Sequence, residues 1–171
     1  IEGTIKKAQD TCDALVTTGG VSMGDFDYVK TVLNRLGEMR WMQVAIKPAK
    51  PLAFGIVNEL PVFGLPGNPV SSIVSYELFA RPALRKMSGN KNPYRTIFEG
   101  KATQDFLRKP DGKTHFFRVS ADVGEGTPKI QSAGHQGSHQ LTGMAGANAL
   151  AILPDGNGVT QDATLEFLFL D

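Results

Sequence analysis

Cysteine is nearly absent: Cys12 is the single one in 171 residues. No internal disulfide can form, the composition fits a reducing compartment, and Cys12 itself is expected to be a small packing group. No apolar run is long enough to span a bilayer, and no basic-then-apolar leader opens the chain. An excess of either charge is missing too, since 18 Lys plus Arg stand against 17 Asp plus Glu for a net charge of +1. No global field recruits nucleic acid or an anionic membrane, so any anion must be held by local placement. Internal repeats and low-complexity tracts are not found. Ile1 opens almost at once on a helical pattern with no cap or methionine, and the expectation is a piece of a longer, cytoplasmic protein.

What the chain does have is 41% hydrophobic content, enough for a packed core. Residues 2–11 read as a short helix with Ile5 and Ala8 on one side, leading into a strand over Asp13 to Thr17. The next helix, with Tyr28, Val29, Val32, Leu33 and Leu36 on one face, ends at Gly37. Arg40 to Ile46 and Pro51 to Val57 are β-like, joined by Lys47-Pro48-Ala49-Lys50, and Leu60 to Gly64 is a further strand. A long helix then runs from Val70 to about Met87, which Pro82 should kink or tighten. Strands alternating with helices in this order predict a three-layer α/β/α domain over residues 1–90. Beyond the turn-rich SGNKNP segment the helical period disappears. Short strand-like runs follow, separated by Pro110-Asp111-Gly112, Gly124-Glu125-Gly126 and Pro154-Asp155-Gly156. They predict a small, mostly antiparallel β-barrel or sandwich over 91–171.

Three stretches carry chemistry. TTGGVSMGDFD, from Thr17 to Asp27, lies between a strand and a helix. Its Gly19, Gly20 and Gly24 allow positive φ and close approach to a ligand, and Thr17, Thr18 and Ser22 add hydroxyl donors, which together suit an oxyanion. Asp27, at the N-cap position, puts a carboxylate beside a site fit for phosphate-like groups, a conflict that a cation such as Mg²⁺ resolves. Gly-Gly after a strand also serves simply to turn a chain into a helix, and the stretch matches neither the P-loop nor the dinucleotide fingerprint. Lys47 and Lys50 flank Pro48 and could clamp an oxyanion, or they could be a solvated turn. Pro66-Gly67-Asn68-Pro69 fixes the backbone at a strand-to-helix junction, as an anion-binding loop or as a stiff structural turn. All three would converge on one sheet edge if the strands run parallel.

VTTGGVSMGDFDY (Val16 to Tyr28), IKPAKPLAFG (Ile46 to Gly55) and GLPGNPVS (Gly64 to Ser71) resemble the C-terminal half of the MoeA and gephyrin E-domain family, the molybdopterin molybdenumtransferases. GHQGSH (Gly134 to His139), preceded by Phe116-Phe117-Arg118, is similar to the same family's C-terminal β-domain. The resemblance implies a molybdopterin-binding α/β/α domain, here its C-terminal part, followed by a small β-barrel domain. It implies insertion of molybdate into adenylylated molybdopterin, with Mg²⁺-dependent release of AMP. By matching positions, Asp27 would serve the metal and the phosphate chemistry, with Lys47 and Lys50 holding oxyanions as catalytic residues. Thr18, Gly19, Gly20, Ser22, Gly24, Pro66, Gly67, Asn68 and Pro69 would line the substrate site. Arg118 and Ser138 would join from the β-domain.

The same resemblance implies a homodimer of the full-length protein, a molybdopterin adenylyltransferase as a partner, and neither nucleic acid nor membrane as a ligand. Gln43 stands where many members have a further lysine, four residues before Lys47. Domains that precede this region in the family are not in the sequence. A carrier of molybdopterin, or a gephyrin-like scaffold without catalysis, is the alternative reading. His135 and His139 have a zinc-like spacing, but Gly137 between them and the want of a third ligand read instead as residues ordering Ser138. Trp41 and Phe116-Phe117 read as core.

Overall fold

The structure, a computed structural model, describes residues 1–21, 28–137 and 141–170. It separates into two compact units, residues 1–44 with 49–93 and residues 45–48 with 94–171.

The first unit begins with α1 (Glu2–Thr11), β1 (Leu15–Thr18), α2 (Tyr28–Leu36) and β2 (Glu38–Gln43). The chain then leaves it for β3 (Ile46–Lys47) and returns for β4 (Pro51–Val57) and β5 (Leu60–Leu65). The sheet order is β1-β5-β4-β2, with β1 parallel to β5 and both other pairings antiparallel. On one face, Ile5 of α1 and Leu33 of α2 pack with Val57 and Val62 of the sheet. On the other, Leu52, Phe63 and Leu65 meet Ala80, Phe79, Ala83 and Leu84 of the long helix. Strand residues of alternating parity face opposite sides, which is why neighbours such as Val62 and Phe63 serve different helices and the unit has three layers.

The long helix runs as α3 (Pro69–Ser75), a π segment (Tyr76–Ala80) and α4 (Arg81–Met87). Of the kink or tightening expected at Pro82, the tightening is not found, and the turn just before it is widened instead. Proline has no N–H to donate and its ring clashes with the carbonyl four residues back, so a wider turn relieves both problems. Two further expectations are corrected. Tyr28 is 75% exposed, because only Val29, Val32, Leu33 and Leu36 of its helix reach the sheet. Cys12 is an exposed free thiol at the end of α1 rather than a packing group.

In the second unit, β6 (Ile97–Ala102), β8 (Thr114–Asp122), β9 (Lys129–Ser132), β10 (Ala149–Leu153) and β12 (Thr164–Phe169) close in the order β10-β12-β6-β9-β8 and back to β10. This is a five-stranded barrel in which only β6–β9 is parallel. β3 adds to its rim against β8, and β7 (Phe106–Leu107) pairs with β11 (Gly158–Val159). Closure removes the free edges that an open sheet of short strands would expose. Val119, Ala121, Ile130, Leu165 and Phe167 fill the interior. A short helix, α5 (Thr142–Ala145), was not expected from the periodicity.

Arg108 fastens two of the turns predicted from sequence. Its Nη2 donates to Asp111 Oδ1 at 2.6 Å and Asp155 Oδ1 at 2.8 Å, and its Nη1 to the carbonyls of Lys113, Leu153 and Pro154. Both Pro-Asp-Gly turns are thus held by one guanidinium, which is 2% exposed. Buried His115 lies with Nε2 3.1 Å from Asp111. Burial pushes the imidazole down, Arg108 and Lys47 push it the same way, and Asp111 only partly offsets them. For Asp111, burial is the largest single influence and raises it, but His115 and Lys113 together carry its pKa down to about 2.

Both shifts are depressions, so both contribute stability at neutral pH that is lost on acidification. As pH falls through the ordinary histidine value of 6.5 the unfolded chain takes up a proton that folded His115 resists. A second loss begins near 3.8, as Asp111 is protonated in the unfolded chain first, and runs down to about 2. The expected outcome is a urea midpoint that declines in two stages as pH is lowered from neutrality. Substituting His115→Gln should remove the first stage and shrink the second, because His115 supplies much of the lowering at Asp111 and Lys113 alone would remain, measured by circular dichroism.

Candidate functional site

The parallel pairing of β1 and β5 aligns Thr17 with Gly64 and Thr18 with Leu65, so both strands end at the same rim of the sheet. The bond from Gly19 N–H to the Leu65 carbonyl, 2.9 Å, extends the pairing one step past the strands. Beyond it the two loops touch: a Cβ built on Gly67 would lie 3.4 Å from the Gly19 Cα. Gly19 and Gly20 have φ of +83° and +78°, the left-handed region for which glycine has no steric cost. Gly19 N–H is therefore spent on the neighbouring strand, and the loop has one fewer donor for a ligand than its sequence suggests.

Val21, 6% exposed, folds back onto β5. It can do so because position 64 is glycine, where a Cβ would come within 2.7 Å of Val21 Cγ1. Neither Val21 nor Gly64 was picked out as a site residue. The Thr17 hydroxyl is buried beside them without a hydrogen-bond partner among the described residues. Thr18 at the strand end is exposed.

After β5, Pro66 is buried, whereas Gly67, Asn68 and Pro69 are exposed. Asn68 takes the N-cap position of α3 with φ −66° and ψ 123°, and its carbonyl accepts the Ser72 N–H at 2.8 Å. Pro69 stands where a missing N–H costs nothing.

The expectation of parallel strands is corrected at β4, which runs antiparallel to β5 with Ala53 opposite Gly64. Antiparallel pairing brings the start of β4 to the rim where β5 ends. Exposed Lys50, immediately before β4, therefore stands at the same rim as the two loops. Its carbonyl accepts Val44 N–H at 2.7 Å, which fixes the backbone on which the ammonium is carried. Gln43, paired with Pro51, is at this rim as well. Lys47 belongs to the second unit, where β3 places it alongside His115 of β8.

Arg118 also lies in the second unit, on β8, and is 0% exposed. Its Nη2 donates to the carbonyls of His135 (2.5 Å) and Gly137 (3.2 Å). Nε and Nη1 have no hydrogen-bond partner among the described residues, and burial lowers the guanidinium pKa. Ser22, Gly24 and Asp27, with Ser138 and His139, lie outside the described residues. Among the described residues no group of three His, Cys, Asp or Glu could hold a metal ion.

The rim can thus present a glycine loop, a proline-bounded loop and one ammonium to a single ligand. Substituting Gly19→Ala should cost about 1–2 kcal/mol from its left-handed φ, measured by urea unfolding. Lys50→Gln, at an exposed position, should change stability by no more than about 0.5 kcal/mol.

Comparison with known proteins gives this geometry a family. The family described as "Probable molybdopterin binding domain" matches residues 1–86, and "MoeA C-terminal region (domain IV)" matches residues 101–168. A molybdopterin molybdenumtransferase of Haemophilus influenzae is 36% identical over 156 residues, covering 88% of this chain and 38% of that protein. One of Bacillus subtilis is 34% identical over 168 residues, covering 97% and 39%. The chain therefore spans about two fifths of the length of these curated relatives. A crystal structure of a molybdopterin biosynthesis MoeA protein from Pyrococcus horikoshii shares the fold, with a TM-score of 0.77 and 24% identity over 99% of this chain and 40% of that one. With one family matched across the first unit and the other across most of the second, the chain belongs to the MoeA and gephyrin E-domain family and corresponds to its C-terminal portion.

Proposed function

We propose that this chain supplies the oxyanion-holding part of a molybdopterin molybdenumtransferase, which inserts molybdate into adenylylated molybdopterin and releases AMP. The observation that carries the reading is the meeting of the Gly19 and Gly67 loops at the rim where Lys50 stands. Molybdate is a dianion and the adenylylated substrate carries a pyrophosphate, so both need a cation and close backbone approach from a water-poor concave surface. Loops with no side chain at Gly19 and Gly67 allow that approach, and Lys50 offsets charge without a fixed hydrogen-bond geometry.

In this reading the rim orients the pyrophosphate while the dithiolene sulfurs displace oxygen from molybdenum, and cleavage of the phosphoanhydride by water frees AMP. Thr18, Gly20, Pro66, Asn68 and Pro69 shape the pocket. Asp27, Ser22, Gly24, Lys47, Arg118 and Ser138 are assigned by likeness to the family. Mg²⁺ belongs to the reading through Asp27, and no step is assigned to it. Cytoplasmic location, a homodimer of the full-length protein and an adenylyltransferase that hands over the substrate complete the proposal. No helix among the described residues is long and apolar enough to cross a membrane.

The test has two parts. Molybdopterin binding to the 171-residue chain, followed by pterin fluorescence, should weaken about tenfold or more in Lys50→Gln through loss of a charge-assisted contact, and should weaken with salt. In the full-length protein, Asp27→Ala should abolish molybdate-dependent cofactor assembly while leaving molybdopterin binding in place. Assembly that proceeds normally in Asp27→Ala would favour a carrier over a transferase.

A further inference from the structure

β8 runs out of strand partner in two places, and at each a side-chain amide takes over. Just before β10 begins, Asn148 Oδ1 accepts the Ala121 N–H at 2.7 Å and its Nδ2 donates to the Ala121 carbonyl at 2.9 Å. Where β9 ends, with Ser132 opposite Val119, Gln136 makes the same pair of bonds to Arg118. The Arg118 N–H donates to Gln136 Oε1 at 2.8 Å, and Gln136 Nε2 donates to the Arg118 carbonyl at 2.9 Å. A primary amide presents one acceptor and two donors in a plane, so it can imitate the peptide of a missing strand. The second Nε2 hydrogen has acceptors in Gly134 O at 3.0 Å and Ser132 Oγ at 3.2 Å.

The consequence at Asn148 is structural, but at Gln136 it reaches a charge. Val119 and Ala121 fill the barrel, so Arg118, of the opposite parity along β8, points to the outer face of the strand, where the segment 133–137 covers it. Gln136 ties this segment to the Arg118 main chain, and the residues on either side of it turn their carbonyls onto the Arg118 guanidinium. Position 143 closes the arrangement: a Cβ there would lie 2.7 Å from the His135 carbonyl and 3.4 Å from Arg118 Nε, so only glycine packs without displacing them. Among the described residues no carboxylate bonds to Arg118, and two carbonyl dipoles face its charge.

We propose that Gln136 is a positioning residue for Arg118, and that Arg118 acts on substrate binding through the 133–137 segment rather than by direct contact. The proposal rests on the molybdopterin-binding reading above and adds a residue to it. Buried completely, the guanidinium offers no exposed face to a ligand, whereas the segment it organises is half-buried to exposed. Loss of the Gln136 amide would leave the segment tied to the Arg118 main chain at its start, by the Ala133 N–H at 3.1 Å, and would loosen the two carbonyls that face the buried charge.

Two variants separate the two bonds. Gln136→Met keeps length and volume but neither bond, and Gln136→Glu keeps the acceptor while losing the donor. Amide exchange on the 171-residue chain, read by NMR, should be about tenfold faster at Arg118 in Gln136→Met. It should be unchanged there in Gln136→Glu, with Phe167 and Leu168 protected throughout. Asn148→Ala should open Ala121 and leave Arg118 closed. Molybdopterin affinity of Gln136→Met should fall about tenfold, and that of Asn148→Ala, which loses the equivalent pair of bonds at Ala121, should not. An Arg118 amide as protected in Gln136→Met as in the parent overturns the proposal, as does an open amide with unaltered affinity. A parent chain that binds no molybdopterin overturns the functional reading instead, and the exchange rates then decide the Gln136 anchor alone.

Discussion

The geometry of the rim depends on parallel pairing between β1 and β5. Two strands that run the same way deliver their following loops to one place, and the bond from Gly19 N–H to Leu65 O carries the register into the loops themselves. An antiparallel pair would have sent the glycine loop and the proline-bounded loop to opposite ends of the sheet, about 20 Å apart for strands of this length. Parallel strands cannot be joined by a tight turn, so the connection from β1 to β5 must leave the sheet and return. It leaves through α2 to the far edge strand β2, and β4 and β5 then step back across the sheet by antiparallel pairing until β5 lies beside β1. The elements between the two loops are thus the means by which the loops meet.

The antiparallel half of the sheet serves the same rim by the opposite rule. β4 enters beside the exit of β5, so the residue before β4 gains the position that a residue after a parallel strand would have had. Lys50 owes its place to this reversal. The brief departure of residues 45–48 to pair with β8 has a further effect, because it divides the lysine pair between the two units. A stretch that looks like one rigid connection in sequence is a crossing point in the structure.

What could be read from sequence follows from the range of the interactions involved. The helix over Tyr28 to Leu36 and the β-runs at Pro51 and Leu60 are written in local periodicity, and the structure has them within a residue or two. Gly19 and Gly20 were legible because positive φ is a property of one residue. The direction of β4, the excursion of β3 and the closure of β10 onto β8 were not legible, since each depends on a partner far along the chain. Val21 on Gly64 was missed for the same reason: a glycine in a strand signals a close approach but does not name what approaches. Gln136 left a weak trace, a polar residue between Gly134 and Gly137, whose meaning appears only once β9 is seen to end at Ser132. Pro82 gave a signal of the correct place and the opposite sign, because a helix can meet a proline by loosening the turn ahead of it.

The barrel treats its two buried arginines in different ways, and the difference bears on what each can do. Arg108 has two carboxylates and three carbonyls, so its charge is neutralised within the fold and its bonds join turns that would otherwise be independent. Removing either carboxylate would leave a buried cation under-compensated, so the group is fixed by its own energetics. Among the described residues Arg118 has carbonyl dipoles, from a segment that the Gln136 amide and the Ala133 N–H tie to its main chain. Dipoles offset a buried charge less completely than ions do, and a site left short of negative potential is stabilised by any anion that comes near. A buried guanidinium of this kind orients the carbonyls that cover it, and its influence passes outward through that segment. Arg108, bonded to two carboxylates, belongs to the stability of the barrel, whereas Arg118 is coupled to the segment 133–137, so what displaces one displaces the other.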